Sequence, residues 1–274
     1  METREFGGTG IPVPVLGLGT WQMEEDPLPG AVAALRRGVE LGMAHVDTAE
    51  MYGSGRVEEI VGEALRGIRD RVFLVSKLLP SNASYAGTLR ACERSLRRLR
   101  TDRLDGYLLH WPGSHPLEET FRAFEKLRAD GKIRTWGVSN FDVEGMEEAV
   151  RIAGPGRIAC NQVLYNLGER TIEHGLLPWC RDGGVALVAY TPLAARSFRS
   201  APALDRVAAA RGCGPRAVAL AFLLRRGAFA IPKSSRPEHV EENAGAAALR
   251  LSDEEADGID AAFPRGPWRG LPML

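Results

Sequence analysis

The segment Met43–Gly55 reads MAHVDTAEMYGSG, and the rest of the chain is organised around it. Its first part, Met43–Asp47, is mostly apolar and follows Gly42, a pattern that predicts a short buried strand. Asp47 would stand at the carboxyl end of that strand, and Tyr52 follows after a loop. By itself, a carboxylate placed ahead of a phenol also fits a capped turn. The positions of the other polar residues decide between a turn and a functional site.

On both sides of that segment, apolar strand-like stretches alternate with helix-like stretches. Counting from Leu16, eight strand segments are each followed by a helical pattern, with no break in composition between them. Strands that alternate with helices indicate a parallel sheet, and eight such units in about 250 residues predict an α/β protein with a closed (β/α)8 TIM barrel. The predicted strands are Leu16–Thr20, Met43–Asp47, Val72–Lys77, Leu104–His110, Ile133–Ser139, Ile158–Val163, Val185–Tyr190 and Phe229–Pro232.

Helical periodicity occupies most of the sequence between and after those strands. The stretch between Tyr190 and Pro215 is expected instead to be a loop rich in proline and alanine. The predicted helices are Leu28–Leu41, Arg56–Leu65, Thr88–Leu99, Leu117–Ala129, Val143–Ile152, Ile172–Arg181, Pro215–Arg226, Pro237–Ala247 and Asp253–Ala262.

The two ends of the chain add small features to the barrel. Residues Thr3–Val15 contain three glycines and predict a β-hairpin, and a short tail rich in Pro, Gly and Trp follows Phe263. No linker interrupts the pattern, so residues 1–274 are expected to form a single domain. A doubly wound open sheet is the alternative architecture. It is weakened because the stretch Gly17–Trp21, GLGTW, lacks the third glycine of a dinucleotide-binding fingerprint.

Composition and charge limit the partners. The chain carries 35 basic and 35 acidic residues, a formal net charge of zero, so electrostatics favours neither nucleic acid nor an anionic membrane. Residues 1–15 lack the pattern of a signal peptide, and the densest apolar run, Ala217–Leu224, is too short to span a bilayer. Widely spaced cysteines predict reduced thiols in a cytoplasmic protein that has no metal site. These cysteines are Cys92, Cys160, Cys180 and Cys213.

Polar side chains recur where the predicted strands end. In a parallel barrel all carboxyl ends of the strands lie on one face, and barrel enzymes build their active sites there. Packing alone does not explain a hydrogen-bonding or ionisable side chain at seven consecutive strand ends, so this face is predicted to be a functional site. The strand-end residues are Asp47, Lys77, His110, Ser139 with Asn140, Asn161 with Gln162, Tyr190, and Lys233 with Ser234.

Three of these side chains, together with Tyr52, suggest acid–base chemistry. A phenol has a reference pKa of about 10, and an adjacent ammonium lowers it by favouring the phenolate. We therefore predict that Lys77, held by Asp47, lowers the pKa of Tyr52. A neutral His110 would orient a carbonyl oxygen. The sequence has no GxSxG motif and no Cys–His pair, and His110 and His115 lack metal-ligand spacing. A proton donor without a nucleophile or metal indicates that a cofactor is the reductant.

The sequence resembles the aldo-keto reductases over essentially its whole length. The shared motifs fall in the family's order at matching strand ends: VDTAEMYGSG (46–55), SK (76–77), LLHWP (108–112), GVSNF (137–141), NQ (161–162), YTPLA (190–194) and IPKSSRPEHVEEN (231–243). Within the family it is most similar to bacterial reductases of small dicarbonyls such as methylglyoxal. The resemblance implies a monomeric barrel that reduces small aldehydes and ketones, with NADPH extended across the carboxyl face.

The resemblance also implies a role for each matching residue. Tyr52 would be the proton donor, Lys77 and Asp47 would adjust its acidity, and His110 would orient the carbonyl. Tyr190 would stack on the nicotinamide, and Trp111 would line the substrate pocket. The other implied contacts are Thr20 and Trp21 to nicotinamide and substrate, Ser139, Asn140 and Gln162 to the carboxamide, Leu193 to the pyrophosphate, Lys233, Ser234 and Arg236 to the 2′-phosphate, and Glu242 and Asn243 to the adenine.

Several departures and alternatives accompany this hypothesis. His239 stands where many NADPH-specific members carry an arginine, so we expect NADPH to be preferred but NADH to be accepted. The loops that determine specificity in the family are short here, which favours an open pocket for small polar carbonyls. A non-catalytic NADP(H)-binding regulatory module is the alternative function, but it would not need Tyr52 and Lys77. His45 is expected to be a hydrogen-bonded residue of the barrel interior. The arginines at 94, 97, 98, 100 and 103 predict a solvated helix face rather than a binding patch.

Overall fold

The computed structural model describes residues 1–274, apart from the side chain of Arg196. The chain begins with an antiparallel hairpin of β1 (Thr3–Glu5) and β2 (Pro12–Pro14), as the sequence predicted. Phe6 follows β1 and is almost fully buried. Its ring contacts residues at the starts of barrel strands, with centroids 4.9 Å from Phe73 and 5.4 Å from Phe229. The hairpin therefore closes the amino-terminal end of the barrel.

Eight parallel strands form the main sheet, and each pairs with its neighbour in the sequence. The sequential pairing makes the sheet curl until its two edges meet. The strands are β3 (Leu18–Gly19), β4 (His45–Asp47), β5 (Phe73–Leu78), β6 (Leu104–Leu109), β7 (Ile133–Ser139), β8 (Cys160–Leu164), β9 (Ala186–Tyr190) and β10 (Phe229–Ala230).

Backbone hydrogen bonds between the first and last strands close the sheet into a barrel. Gly17 N–H donates to the Ala230 carbonyl at 2.8 Å, Ala230 N–H donates to Val15 at 2.9 Å, and Gly19 N–H donates to Pro232 at 3.1 Å. The predicted (β/α)8 barrel is confirmed, and an open sheet is excluded. Gly19 has a packing role at this seam, because a Cβ there would lie 2.5 Å from the Ile231 carbonyl oxygen.

Helices cover the outside of the barrel, and most lie where periodicity predicted them. In the third helix, Ser84 caps the first turn by accepting a hydrogen bond from Gly87 N–H at 3.2 Å. The helix ends at Arg100, whose φ of 53° is left-handed. The helices are α1 (Leu28–Glu40), α2 (Arg56–Ala64), α3 (Tyr85–Leu99), α4 (Leu117–Ala129), α5 (Val143–Ala153), α6 (Leu176–Asp182), α7 (Pro202–Arg211), α8 (Pro215–Arg225), α9 (Pro237–Gly245) and α10 (Asp253–Ala262).

Helix α7 was missed, because the sequence analysis assigned its residues to a loop. Its sequence, PALDRVAAAR, contains five alanines or valines of similar size on several faces, so the contrast between an apolar and a polar face is weak. The local signals are present, however. Pro202 occupies the first turn, and Gly212 ends the helix with a φ of 62°. These boundary residues indicate the helix better than its periodicity does.

Two predictions about charged and polar residues have different outcomes. The basic face of α3 is an ion-paired surface: Arg98 contacts Glu58 at 2.5 Å, and Arg100 contacts Glu63 at 2.9 Å. His45 lies in the barrel interior, but its hydrogen-bonding was wrongly predicted. Neither ring nitrogen has a partner among the described atoms, and burial lowers the pKa of His45 to about 3. No single described helix is long and apolar enough to span a membrane; α7 and α8 meet the criterion only as a pair bent by 98°.

Candidate active site

A cavity of about 570 Å³ opens at the carboxyl ends of the barrel strands. Most of the residues that the sequence singled out lie on its wall, whereas Lys77 and Ser139 lie behind the wall and Arg236 lies outside it. The predicted residues that line the cavity are Thr20, Trp21, Asp47, Tyr52, His110, Trp111, Asn140, Gln162, Tyr190, Leu193, Lys233, Ser234, His239, Glu242 and Asn243. Lining residues that the sequence analysis missed include Gln22, Asp26, Met51, Thr191, Arg216 and Met273.

Asp47, Lys77 and Tyr52 form a continuous chain of contacts beneath the cavity. The Lys77 ammonium is fully buried and donates to Oδ1 of Asp47 at 2.6 Å and to the Thr48 carbonyl at 2.9 Å. Its Nζ also lies 3.2 Å from the Tyr52 hydroxyl. β4 supplies Asp47 and β5 supplies Lys77, and these strands are paired neighbours. The tight turn at Tyr52–Gly55 returns the phenol over them.

The pKa of Tyr52 is shifted upward overall, although the adjacent ammonium was predicted to lower it. Burial raises the pKa of Tyr52, Lys77 lowers it, and the net shift is upward from 10.0. Lys77 thus lowers the pKa as predicted, but its effect is smaller than that of burial, which the prediction left out. Burial lowers the pKa of Lys77, but Asp47 and Tyr52 together raise it by more, so the net shift is upward. Burial raises the pKa of Asp47 against the effect of Lys77, and their 2.6 Å contact keeps the two groups as an ion pair.

His110 faces Tyr52 across the cavity, with ring centroids 5.8 Å apart in an edge-on arrangement. Burial, reinforced by the positive charge of Lys77, lowers the pKa of His110 to about 2. The imidazole is therefore neutral at physiological pH, as predicted. Its Nδ1 is buried without a partner among the described atoms, whereas Trp111 packs beside the ring at 4.8 Å. A neutral imidazole in this position can donate one hydrogen bond into the cavity.

Amide and hydroxyl groups on β7, β8 and β9 are linked to one another beside this acid–base cluster. Gln162 donates its side-chain N–H to Oδ2 of Asp47 at 2.8 Å. Ser139 is buried and donates to the Gln162 carbonyl at 2.7 Å. Asn140 donates to the His110 carbonyl at 3.1 Å and accepts from the Tyr190 hydroxyl at 3.0 Å. The structure therefore places Ser139 as a support for the wall, with Asn140 and Gln162 on the cavity surface.

At the far end of the cavity, Lys233 already has an anionic partner from the first loop. Its ammonium donates to Oδ2 of Asp26 at 2.5 Å, and the Ser235 hydroxyl donates to the same oxygen. Burial alone would raise the pKa of Asp26, but the bonds from Lys233 and Ser235 lower it overall. Arg236 points outward, with its Nε 3.7 Å from Glu238. Asp26 was missed because it belongs to a loop rather than to a strand end.

The loops around the cavity contain unusual backbone conformations. Seven non-glycine residues have positive φ, and four of them line the cavity: Gln22, Asn140, Thr191 and Ala195. Thr191 is the least expected, because a β-branched residue at a φ of 49° is a true outlier. Strained residues of this kind concentrate at functional sites, where the surrounding structure holds them. The backbone thus independently marks this cavity as the site.

The described residues give little support for metal binding or for thiol chemistry elsewhere in the fold. Among the residues that the structure describes, no group of three or more His, Cys, Asp or Glu side chains is arranged to hold a metal ion. All four cysteines are free thiols. Burial raises the pKa of Cys92 and of Cys180 to about 12, so neither is an activated nucleophile.

The parallel barrel places a phenol, a buried ammonium and a neutral imidazole around one cavity, an arrangement suited to proton transfer in an enzyme. The chain belongs to the aldo/keto reductase family, whose sequence profile matches residues 15–263. The resemblance inferred from the motifs is thereby confirmed.

Individual relatives cover nearly all of the chain. It is 47% identical to the methylglyoxal reductase YeaE of Escherichia coli over 95% of this chain and 94% of that protein. It is 35% identical to the glyoxal reductase of Bacillus subtilis, over 92% and 90% of the two chains. Among solved structures, an aldo/keto reductase from Klebsiella pneumoniae in complex with NADP and acetate matches with a TM-score of 0.93 and 47% identity, covering 100% of both chains.

Proposed function

We propose that this protein is an NADPH-dependent reductase of small aldehydes and ketones, with dicarbonyls such as methylglyoxal among its substrates. One observation carries the proposal: the Tyr52 hydroxyl lies on the cavity wall, 3.2 Å from the Lys77 ammonium and across from a neutral His110. This is a proton donor and a carbonyl-orienting group on one surface. The proposal agrees with the names of relatives that reduce methylglyoxal and glyoxal.

The donor groups along the cavity fit a nicotinamide dinucleotide. Near Tyr52 the wall presents the Tyr190 ring beside the amides of Asn140 and Gln162, a suitable set for a flat ring that carries a carboxamide. At the other end Lys233 provides a cation, and Glu242 and Asn243 provide groups for a base. Two related Klebsiella pneumoniae structures were solved with NADP or NADPH. When bound, the reduced cofactor supplies the hydride that the chain's own side chains cannot supply.

The chain's residues would supply the proton and the orientation. His110 donates a hydrogen bond to the carbonyl oxygen, and Tyr52 gives its proton to that oxygen as negative charge develops on it. The phenol is protonated at neutral pH, and Lys77 opposes the rise in its pKa that burial causes, so the ammonium favours release of the proton. Lys77 then stabilises the phenolate that remains, and Asp47 keeps the ammonium in position. Addition of a hydride to the carbonyl carbon and of a proton to the carbonyl oxygen gives the alcohol.

The substrate end of the cavity suits small carbonyl compounds. Trp21 is 40% exposed and Met51 is 37% exposed, so the wall around Tyr52 is apolar and open to solvent. Trp111 packs against His110 and narrows the position where the carbonyl would sit. We also propose that the enzyme acts as a monomer in the cytoplasm; the four free thiols support the cytoplasmic location. Sedimentation analysis of the purified protein would test the monomer.

The direct test is turnover. Purified protein mixed with NADPH and methylglyoxal should consume NADPH, as followed by loss of its absorbance, and should form the corresponding alcohol. A panel of aldehydes, ketones and dicarbonyls then ranks the substrates by kcat/KM. Cofactor binding without turnover of any compound in the panel would contradict the reductase and favour the regulatory module.

A further inference from the structure

Arg216 is a cation on the cavity wall for which the proposed reaction has so far provided no role. It lies in the first turn of α8, is exposed to the cavity, and belongs to neither the acid–base cluster nor the predicted cofactor motifs. Among the described residues, no carboxylate lies within 4 Å of its guanidinium, so it forms no ion pair there. Its Cζ lies 5.4 Å from the centroid of the Phe198 ring, which restricts the side chain to this wall.

The groups around Arg216 also contribute to the electrostatic potential at this end of the cavity. The carboxylate of Glu242 lines the same region, but it lies against Gly214, where a Cβ would be 2.1 Å from its Oε1. Gly214 is the N-cap of α8 and has no capping side chain, so the backbone N–H groups of this end add positive potential beside Arg216. Arg216 and the start of α8 thus contribute positive potential to this end of the cavity, which the Glu242 carboxylate offsets in part.

The other cations near this end are less available. Lys233 is held by Asp26 at 2.5 Å, and Arg236 points away from the cavity toward Glu238. His239 lines the cavity, but an imidazole carries no permanent charge and lacks the two parallel donors of a guanidinium. Of the side chains that the structure describes on this wall, Arg216 is thus the permanent cation without an anionic partner. Arginine also matches phosphate geometry through two parallel N–H donors.

We infer that Arg216 binds a phosphate group of the dinucleotide cofactor. This inference rests on the proposed function, because it assigns the residue to the cofactor of that reaction. Two phosphate groups are chemically equivalent for this purpose, the 2′-phosphate on the adenosine and the diphosphate that links the two nucleosides. Arg216 therefore replaces part of the phosphate contact that His239 and the outward Arg236 do not provide.

The experiment is cofactor binding to four proteins, measured by titration calorimetry: the wild type, Arg216→Gln, Arg216→Lys and Arg206→Gln. The last is the matched control, because Arg206 is an exposed arginine on the neighbouring helix α7 and lies off the cavity wall. Arg216→Gln should weaken NADPH binding roughly ten- to hundred-fold, the effect of losing a charge-assisted hydrogen bond. Arg216→Lys should recover part of the loss, and the control should match the wild type.

Each outcome separates the alternatives. A loss confined to NADPH assigns the 2′-phosphate, and an equal loss for NADPH and NADH with unchanged binding of adenosine assigns the diphosphate. Binding by Arg216→Gln within twofold of the wild type for both cofactors would overturn the inference and leave the proposed function intact. An equal loss for adenosine would also overturn it, because adenosine has no phosphate. A wild-type protein that bound neither cofactor would instead contradict the proposed function itself.

Discussion

Gln162 donates its side-chain amide to Oδ2 of Asp47 at 2.8 Å, while the other oxygen of Asp47 accepts from Lys77 at 2.6 Å. A residue predicted at the nicotinamide carboxamide is therefore hydrogen-bonded to the carboxylate that holds the Lys77 ammonium. β8 contributes one group and β4 the other, so the contact crosses the barrel interior. A movement of Gln162 would therefore change the hydrogen bonding of Asp47 and, through Lys77, the surroundings of the Tyr52 hydroxyl.

Replacing Tyr52 by Phe removes the proposed proton donor and keeps the ring. We expect kcat to fall about 10²- to 10⁴-fold, the usual contribution of a general acid, with little change in NADPH affinity. Tyr107→Phe is the matched control, because the Tyr107 hydroxyl is buried without a partner among the described atoms and lies away from the cavity. Steady-state kinetics and cofactor titration decide. A Tyr52→Phe enzyme that kept more than about a tenth of wild-type kcat would remove Tyr52 from this role.

Replacing Lys77 by Met should abolish activity and also reduce stability. Asp47 would then be a buried carboxylate without its ion-pair partner, which costs about 3–5 kcal/mol of unfolding free energy. The double variant Asp47→Asn with Lys77→Met should regain much of that stability and remain inactive. Denaturant unfolding and turnover, measured on the same preparations, separate the two effects. An active Lys77→Met enzyme would exclude lysine from the mechanism.

Replacing His239 by Arg should increase selectivity for NADPH over NADH. A further permanent positive charge on the cavity wall adds a charge-assisted bond to phosphate, so the ratio of the two dissociation constants should rise by about tenfold or more. His115→Arg adds the same charge off the cavity wall as a control. A ratio unaffected by the substitution would contradict a phosphate contact at this position.

Replacing Asp26 by Asn should tighten NADPH binding severalfold. In the wild type, the Asp26 carboxylate is paired with the Lys233 ammonium and would repel a phosphate placed beside it. The asparagine amide keeps the shape of the side chain without its charge. NADH, which lacks the 2′-phosphate, serves as the internal comparison and should change less. Weaker NADPH binding in Asp26→Asn would reverse the interpretation and make Asp26 a clasp that retains the cofactor.

Two buried histidines should make the fold sensitive to acid. The folded-state pKa values are about 3 for His45 and about 2 for His110, below the ordinary value of 6.5. The unfolded chain therefore binds protons first, so stability is fully present above pH 6.5 and falls as the pH decreases below it. The loss approaches about 1.4 kcal/mol per pH unit for each histidine. Urea unfolding near pH 8 and near pH 5 should show a smaller difference for His45→Leu than for the wild type. An unchanged difference would contradict this role of His45.

The parts of the site that the sequence could predict share one property. Residues such as Asp47, His110 and Gln162 end strands of a parallel sheet, and topology alone brings those positions to one face. The barrel itself followed from the repeating pattern. Asp26 and Arg216 were not predictable in this way, because a loop and a helix start approach the cavity only through the tertiary packing of α1, α8 and α9.

The missed properties of predicted residues have a second cause. The sign of the Tyr52 pKa shift depends on how completely its hydroxyl is removed from water, and that is fixed by the whole barrel. The same holds for His45, whose aromatic neighbours Phe6 and Phe73 come from distant segments and offer it no hydrogen bond. Chemical type is written in the sequence, whereas solvation is a property of the assembled fold.

The barrel closes between its two shortest strands, β3 and β10. β3 and β10 have two residues each, and Asp26 links the loops that follow them through its contacts with Lys233 and Ser235. Local opening requires least free energy where few backbone hydrogen bonds must be broken. We therefore expect local opening of the barrel to begin at this seam, while the longer strands β5 to β7 stay paired.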